Sequence, residues 1–422
     1  MTSPHPARPL AGSPSARPSP GAGAPGAGIG GARLVLAVSL VLIALNLRPV
    51  FSSVAALLPE IMAGTGLRPV GASLLTTLPV LCLGLFAPLA PLLAGRFGAE
   101  RTLLGVVGLV TAGTALRAFG TVPALLGGAV LAGAAIAVGN VLLPSLVKRD
   151  FPDRLALMTG LFTMALSAGA AAAAGLTVPL RTLLHGSWPA ALGVWAVPGA
   201  AAFCLWAIVG RRERSASASL AGRAAGLWGR ALAWQITLFM GLQSAMAYIV
   251  FGYLAPILRE RGLPAGTAGA VVSWSVAVQC VACLLAPALA VRRADQRLVN
   301  VVFFALAVAG FAACVFAPLD LALVSVTAQG FGQGGLIALA MTAIVLRSAD
   351  ARVAAALSAM AQGVGYTLAA AGPLCVGVLR GVTGGYGAAA LLFAGLGAAG
   401  AACAYKAGRP RVLAAPATRP PG

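Results

Sequence analysis

Residues 34–58 read LVLAVSLVLIALNLRPVFSSVAALL, an apolar run interrupted by one charge, Arg48, with Pro49 directly behind it. At 1.5 Å per residue a helix of this length crosses a hydrocarbon layer of about 30 Å. Leu34–Leu47 alone would pass as the apolar core of a cleaved signal. The run resumes after Arg48, however, so the stretch predicts an uncleaved first spanning helix.

Working outward, comparable stretches recur at 71–95, 102–119, 123–147, 155–180, 190–210, 231–258, 267–291, 298–317, 319–346, 352–379 and 385–405. Only Pro318 and Asp320 divide the ninth stretch from the tenth. Twelve spans agree with a composition that is 59% apolar and 9% charged and a mean hydropathy of +0.94. A water-soluble domain of this length needs about a quarter of its residues charged, so the expected solvent is lipid. The net charge of +20 does not indicate nucleic acid, because the basic residues sit in short clusters between apolar runs, where they anchor helix ends.

The expected organisation is a disordered tail (1–33), six helices (34–210), a polar linker (211–230), six helices (231–406) and a second tail (407–422). Of the 29 basic residues, Arg68, Arg117, Arg181, Arg259, Arg261 and Arg380 lie in loops on one side. All the others except Arg48 lie on the side of the termini and linker. The positive-inside rule therefore places the termini in the cytoplasm. The Ala-, Gly- and Arg-rich composition suggests a high-GC bacterial gene, and so a bacterial cytoplasmic membrane. A shift of 196 residues lays Leu89-Ala90-Pro91 through Arg96 and Arg101 on Leu285-Ala286-Pro287 through Arg292 and Arg297, and a shift of 198 lays Arg149 on Arg347. Two copies separated by six helices share an orientation, as in a parallel repeat.

Arg48 lies about 21 Å along the first helix, near the midplane, and no other charged residue is expected so deep. All nine acids fall at helix ends, in loops or in the linker. An intramembrane guanidinium without a carboxylate costs at least about 2.5–3.5 kcal/mol and is expected to face a cavity or a partner. Its planar fork suits an oxyanion, so the expected partner is a small anionic substrate. The competing reading is an arginine satisfied by carbonyls that Pro49 frees. Asn46, Asn140, Gln243, Ser244, Tyr248, Gln329, Gln333, Gln362 and Tyr366 are the uncharged polar groups expected to share its cavity; each must be paired, by substrate or by a neighbouring helix.

Other strings carry less. Gly330-Phe331-Gly332-Gln333-Gly334-Gly335 matches G-x-G-x-x-G but lies in an apolar helix with no preceding strand, so it is read as a close-packing surface. Cys280 and Cys283 have no companion pair or histidine, and all seven cysteines are read as small buried residues; no metal or cofactor is expected. His5 and His185 lie outside the spans, so no catalytic constellation can be assembled and no enzyme is expected.

Four strings carry a family resemblance: Leu45-Asn46-Leu47-Arg48-Pro49, Gly139-Asn140-Val141-Leu142-Leu143-Pro144-Ser145 continuing to Pro152, Gly241-Leu242-Gln243-Ser244, and Ala355 through Tyr366. Together they resemble the cyanate permease family of the major facilitator superfamily, which includes 2-nitroimidazole exporters. The resemblance implies an all-α fold of twelve transmembrane helices in two parallel-related six-helix bundles, with a central site and alternating access. Ala94-Gly95-Arg96-Phe97-Gly98-Ala99-Glu100-Arg101 is similar to the superfamily motif G-x-L-A-D-R-x-G-R-R, but Pro91 replaces its first glycine and Gly95 its acid. Arg96, Arg101, Arg292 and Arg297 are the loop-motif candidates. The expectation is a monomeric secondary transporter of a small anion, with a proton or counter-substrate as the coupled species. Efflux of neutral or weakly basic drug-like compounds is the alternative.

Overall fold

The computed structural model describes residues 27–67, 69–212 and 226–413. Every named element is a helix, and Ser348 with Leu413 forms the one isolated bridge among the described residues. Eleven helices are long and apolar enough to cross a membrane, and a bent pair brings the count to twelve. The first span runs Ala27–Asn46, breaks, and resumes as Pro49–Ala56; the second is Pro69–Phe86 with Leu89–Phe97, bent by 60°. Spans three to six follow as Ala99–Leu116, Val122–Asp150, Leu155–Leu183, and Trp188–Gly193 with Ala196–Arg212. Spans seven to twelve are Ala231–Glu260, Ala265–Val291, Arg297–Phe316, Ala322–Leu346, Ala351–Ala369 with Ala371–Thr383, and Gly387–Ala407.

Two expected boundaries change. The first helix begins at Ala27, seven residues before the apolar run; the rest of the tail and most of the linker lie outside the described residues. At the other end the tail does not leave the bundle at 407. Leu413 N donates to Arg347 O at 2.7 Å and Leu413 O accepts from Ala349 N at 2.9 Å, so the segment after span twelve is stitched to the end of span ten.

The internal repeat is visible in the contacts. At the start of span three Glu100 pairs with Arg149 at the end of span four, at 2.6 Å; in the second half Gln296 accepts from Arg347 at the same two places. On the opposite face Glu60 pairs with Arg181 at 2.9 Å, and Glu260 with Arg380. Glu100, in the first turn of span three, ties the start of that span to the end of span four. Arg96 and Arg101 are exposed. Arg292 is exposed as well, while Arg297 pairs with Asp295 at 2.6 Å and lies over the Tyr405 ring.

The glycine string of span ten packs two ways. A Cβ added at Gly330 or Gly334 would strike the backbone of Ser275 or Gln279 in span eight; one at Gly332 or Gly335 would strike Ala307 or the Phe303 ring in span nine. These helices approach closely because the side chains are absent. The cysteines are less uniform than expected: Cys82, Cys283 and Cys314 are buried, but Cys204 and Cys375 are exposed on the outside of the bundle. An apolar stretch does not tell its lipid face from its packed face.

The two halves meet on the face that bears the termini. Span eleven packs against spans two and four, and span eight against span five. Ser167 Oγ lies 3.8 Å from Cys283 Sγ, and Lys148 interacts electrostatically with Asp350. Lys148 and Asp350 come from span ends joined on the terminus side, so that side is shut.

Candidate functional site

Proline at position 49 removes the N–H that Leu45 O would accept. Helical geometry lapses at Leu47 and Arg48 and restarts with Pro49 in the first turn of the next segment. The freed Leu45 carbonyl rests against Gly169 of span five, so closely that a Cβ there would overlap it. Arg48 is thereby held at a break rather than along a continuous helix wall.

Its neighbours come from the other half of the chain. The guanidinium interacts with the hydroxyls of Tyr248 in span seven and Tyr366 in span eleven. The two rings lie 6.5 Å apart between centroids at 59°. Tyr366 is buried and its Oη makes no hydrogen bond of good geometry. Among the described residues Arg48 enters no ion pair, so its counter-charge is missing while the oxygen ends of two phenols face it.

One helical turn from each tyrosine, about 6 Å toward the shut face, lies a second polar layer. Gln362 Nε2 donates to Asn140 O at 2.9 Å and to Ser358 Oγ at 2.7 Å, joining span eleven to span four. Gln243 Nε2 donates to Ser244 Oγ at 2.8 Å, and Gln333 Nε2 donates to Gln243 O at 3.1 Å, joining spans seven and ten. Asn140 Nδ2 and Oδ1, Gln333 Oε1 and Gln362 Oε1 are buried without partners.

Of the residues singled out in the sequence, Arg48, Tyr248 and Tyr366 are brought together, as are Asn140 with Gln362 and Gln243 with Gln333. Asn46 is not part of either group, since its amide donates to Leu42 O in its own helix at 2.8 Å. Gln329 accepts from Ser275 Oγ of span eight at 3.0 Å, a helix-packing bond. Ser358 was missed, although it stands one turn before Gln362, where i,i+4 pairing would have found it.

Twelve spans in two related sixes, with polar groups gathered at the seam between them, define a membrane transporter. The chain belongs to the Major Facilitator Superfamily, whose family model matches residues 34–327. Within it the chain is of the cyanate and nitroimidazole permease type. It is 37% identical to the 2-nitroimidazole transporter of Escherichia coli over 356 residues, 84% of this chain and 90% of that protein. It is 30% identical to the cyanate transport protein of the same organism over 348 residues, 82% and 90% of the two chains. The structure of a proton:xylose symporter bound to 6-bromo-6-deoxy-D-glucose matches with a TM-score of 0.71, at 12% identity, over 89% of this chain and 95% of that one. That likeness is one of fold alone.

Arg117, assigned to an outer loop, is fully buried in the turn that ends span three. Its Nη1 donates to Val50 O at 2.8 Å, two residues past Arg48, while Nε and Nη2 have no partner. The signal was present, since the third apolar stretch runs past Arg117 to Phe119. Arg117→Met is expected to insert with an unchanged or raised melting temperature, because it removes a buried guanidinium with unpaired nitrogens. Transport is expected to fall about tenfold, the loss of one hydrogen bond fixing the restart of span one. Thermal melts beside uptake assays check this, and full transport would reduce Arg117 to a packing residue.

Proposed function

We propose that this protein is a secondary transporter of small anions, working by alternating access in the bacterial cytoplasmic membrane, as a monomer with its termini in the cytoplasm. The carrying observation is Arg48: a guanidinium at a helix break, set against two tyrosine hydroxyls, that enters no ion pair among the described residues. Leaving such a charge unpaired in the membrane is costly, and a bound oxyanion supplies the missing partner. Both layers of the site draw on both halves of the chain, so parting the halves on one face and closing them on the other would carry a bound ion across. With the termini inside, the side on which the halves are joined is the cytoplasmic one. Among the described residues no acid or histidine pairs with Arg48 to relay protons, so a coupled proton would travel on the substrate or be replaced by a counter-anion.

The relative named for 2-nitroimidazole favours a second reading, transport of a neutral heterocycle. One assay separates the two. Proteoliposomes holding the purified protein are tested for uptake of small radiolabelled carboxylates and of neutral amides of the same shape. Saturable uptake of the acids alone supports the anion reading; preferential uptake of the amides sinks it.

A further inference from the structure

We infer that the substrate carries a hydrogen-bond donor, an N–H or O–H group, about one helical turn from its anionic group; this rests on the anion reading above. The unpaired groups of the second layer are not symmetric in kind. Gln362 Nε2 faces the Asn140 carbonyl and Gln333 Nε2 faces the Gln243 carbonyl, which fixes both amide orientations, because flipping either would set oxygen against oxygen. The orphaned glutamine atoms are therefore both oxygens: Gln333 Oε1 and Gln362 Oε1 are buried acceptors lacking a donor. Asn140, on the facing helix, adds an unpaired acceptor and an unpaired donor.

A buried acceptor left empty is expensive, and a site built of acceptors discriminates against a ligand that brings no donor. The first layer has the opposite character, offering the guanidinium of Arg48. Tyr366 follows Gln362, and Tyr248 follows Ser244, by four residues on their helices, so the layers stand about 6 Å apart. A ligand satisfying both is an anion at one end and a donor at the other. With the seam shut, the acceptors face neither water nor donor; parting of the halves opens them to the ligand.

The test uses the full chain, purified, with four probes at equal ionic strength: benzoate, 4-hydroxybenzoate, 4-methoxybenzoate and 2-hydroxybenzoate. Binding is read by thermal shift and titration. 4-Hydroxybenzoate is expected to bind about tenfold or more tightly than benzoate and 4-methoxybenzoate, with no such gain for 2-hydroxybenzoate, whose donor adjoins its carboxylate. Gln333→Met and Gln362→Met should each reduce that preference. Arg48→Gln should weaken every probe. Equal binding of benzoate and 4-hydroxybenzoate, no binding of 4-hydroxybenzoate, or a preference untouched in both glutamine variants overturns the inference. The comparison in the unmodified chain stands even where a variant fails to fold. If anions other than these bind through Arg48, the anion reading survives alone; if Arg48→Gln leaves all binding unchanged, that reading falls instead.

Discussion

Arg48→Gln is expected to insert, fold and fail to transport. Truncating one partner of a buried charge pair costs about 2–5 kcal/mol, so uptake of the anion falls by roughly 30-fold or more. The fold itself should not suffer, since the variant removes an intramembrane charge that has no protein counter-ion. Arg48→Lys keeps the charge but loses the planar fork and is expected to lie between, about tenfold below the unmodified protein. Uptake measured in proteoliposomes at matched protein incorporation checks both. Full uptake by Arg48→Gln would mean that Arg48 is satisfied by carbonyls and tyrosines alone and takes no part in binding.

Ser167→Cys is expected to abolish transport under oxidation and to recover it fully on reduction. Ser167 Oγ and Cys283 Sγ stand 3.8 Å apart across the shut seam, so a modest side-chain adjustment brings two sulfurs within bonding distance. A covalent tie between spans five and eight holds the halves together on the terminus side. A transporter that must part them there to release its cargo stops. Ser167→Cys combined with Cys283→Ala is the control and should be insensitive to oxidant. Cross-linking shown by mass spectrometry with transport intact would exclude parting of spans five and eight from the cycle.

Much of the fold is legible along the chain because lipid imposes a simple rule: each crossing needs an apolar run of fixed length, and the runs can be read one by one. Even the narrow division at Pro318 and Asp320 is respected, Pro318 leading into the short turn Leu319–Leu321 before span ten. The conspicuous member of the site was legible for the same reason, since a charge inside an apolar run stands out, and Pro49 beside it signals the break. The rest depends on contacts that no local pattern encodes. Tyr248 and Tyr366 meet Arg48 only because spans seven and eleven fold back on span one from the other half. Arg117 reads as a loop residue until the turn after span three is seen to tuck it beneath Val50. Leu413 reads as tail until it pairs with Arg347, and the two exposed cysteines depend on which helix face meets lipid.

Thermal denaturation of the purified protein in the presence of a panel of small organic and inorganic anions, with chloride as the reference ion, tests the anion-anchor account most directly. A ligand that binds only the folded state raises the melting temperature in proportion to its occupancy. At least one carboxylate or other oxyanion should raise it by several degrees in the unmodified protein and not in Arg48→Gln. A panel in which no anion acts, or in which the same anions stabilise both proteins equally, would contradict the account.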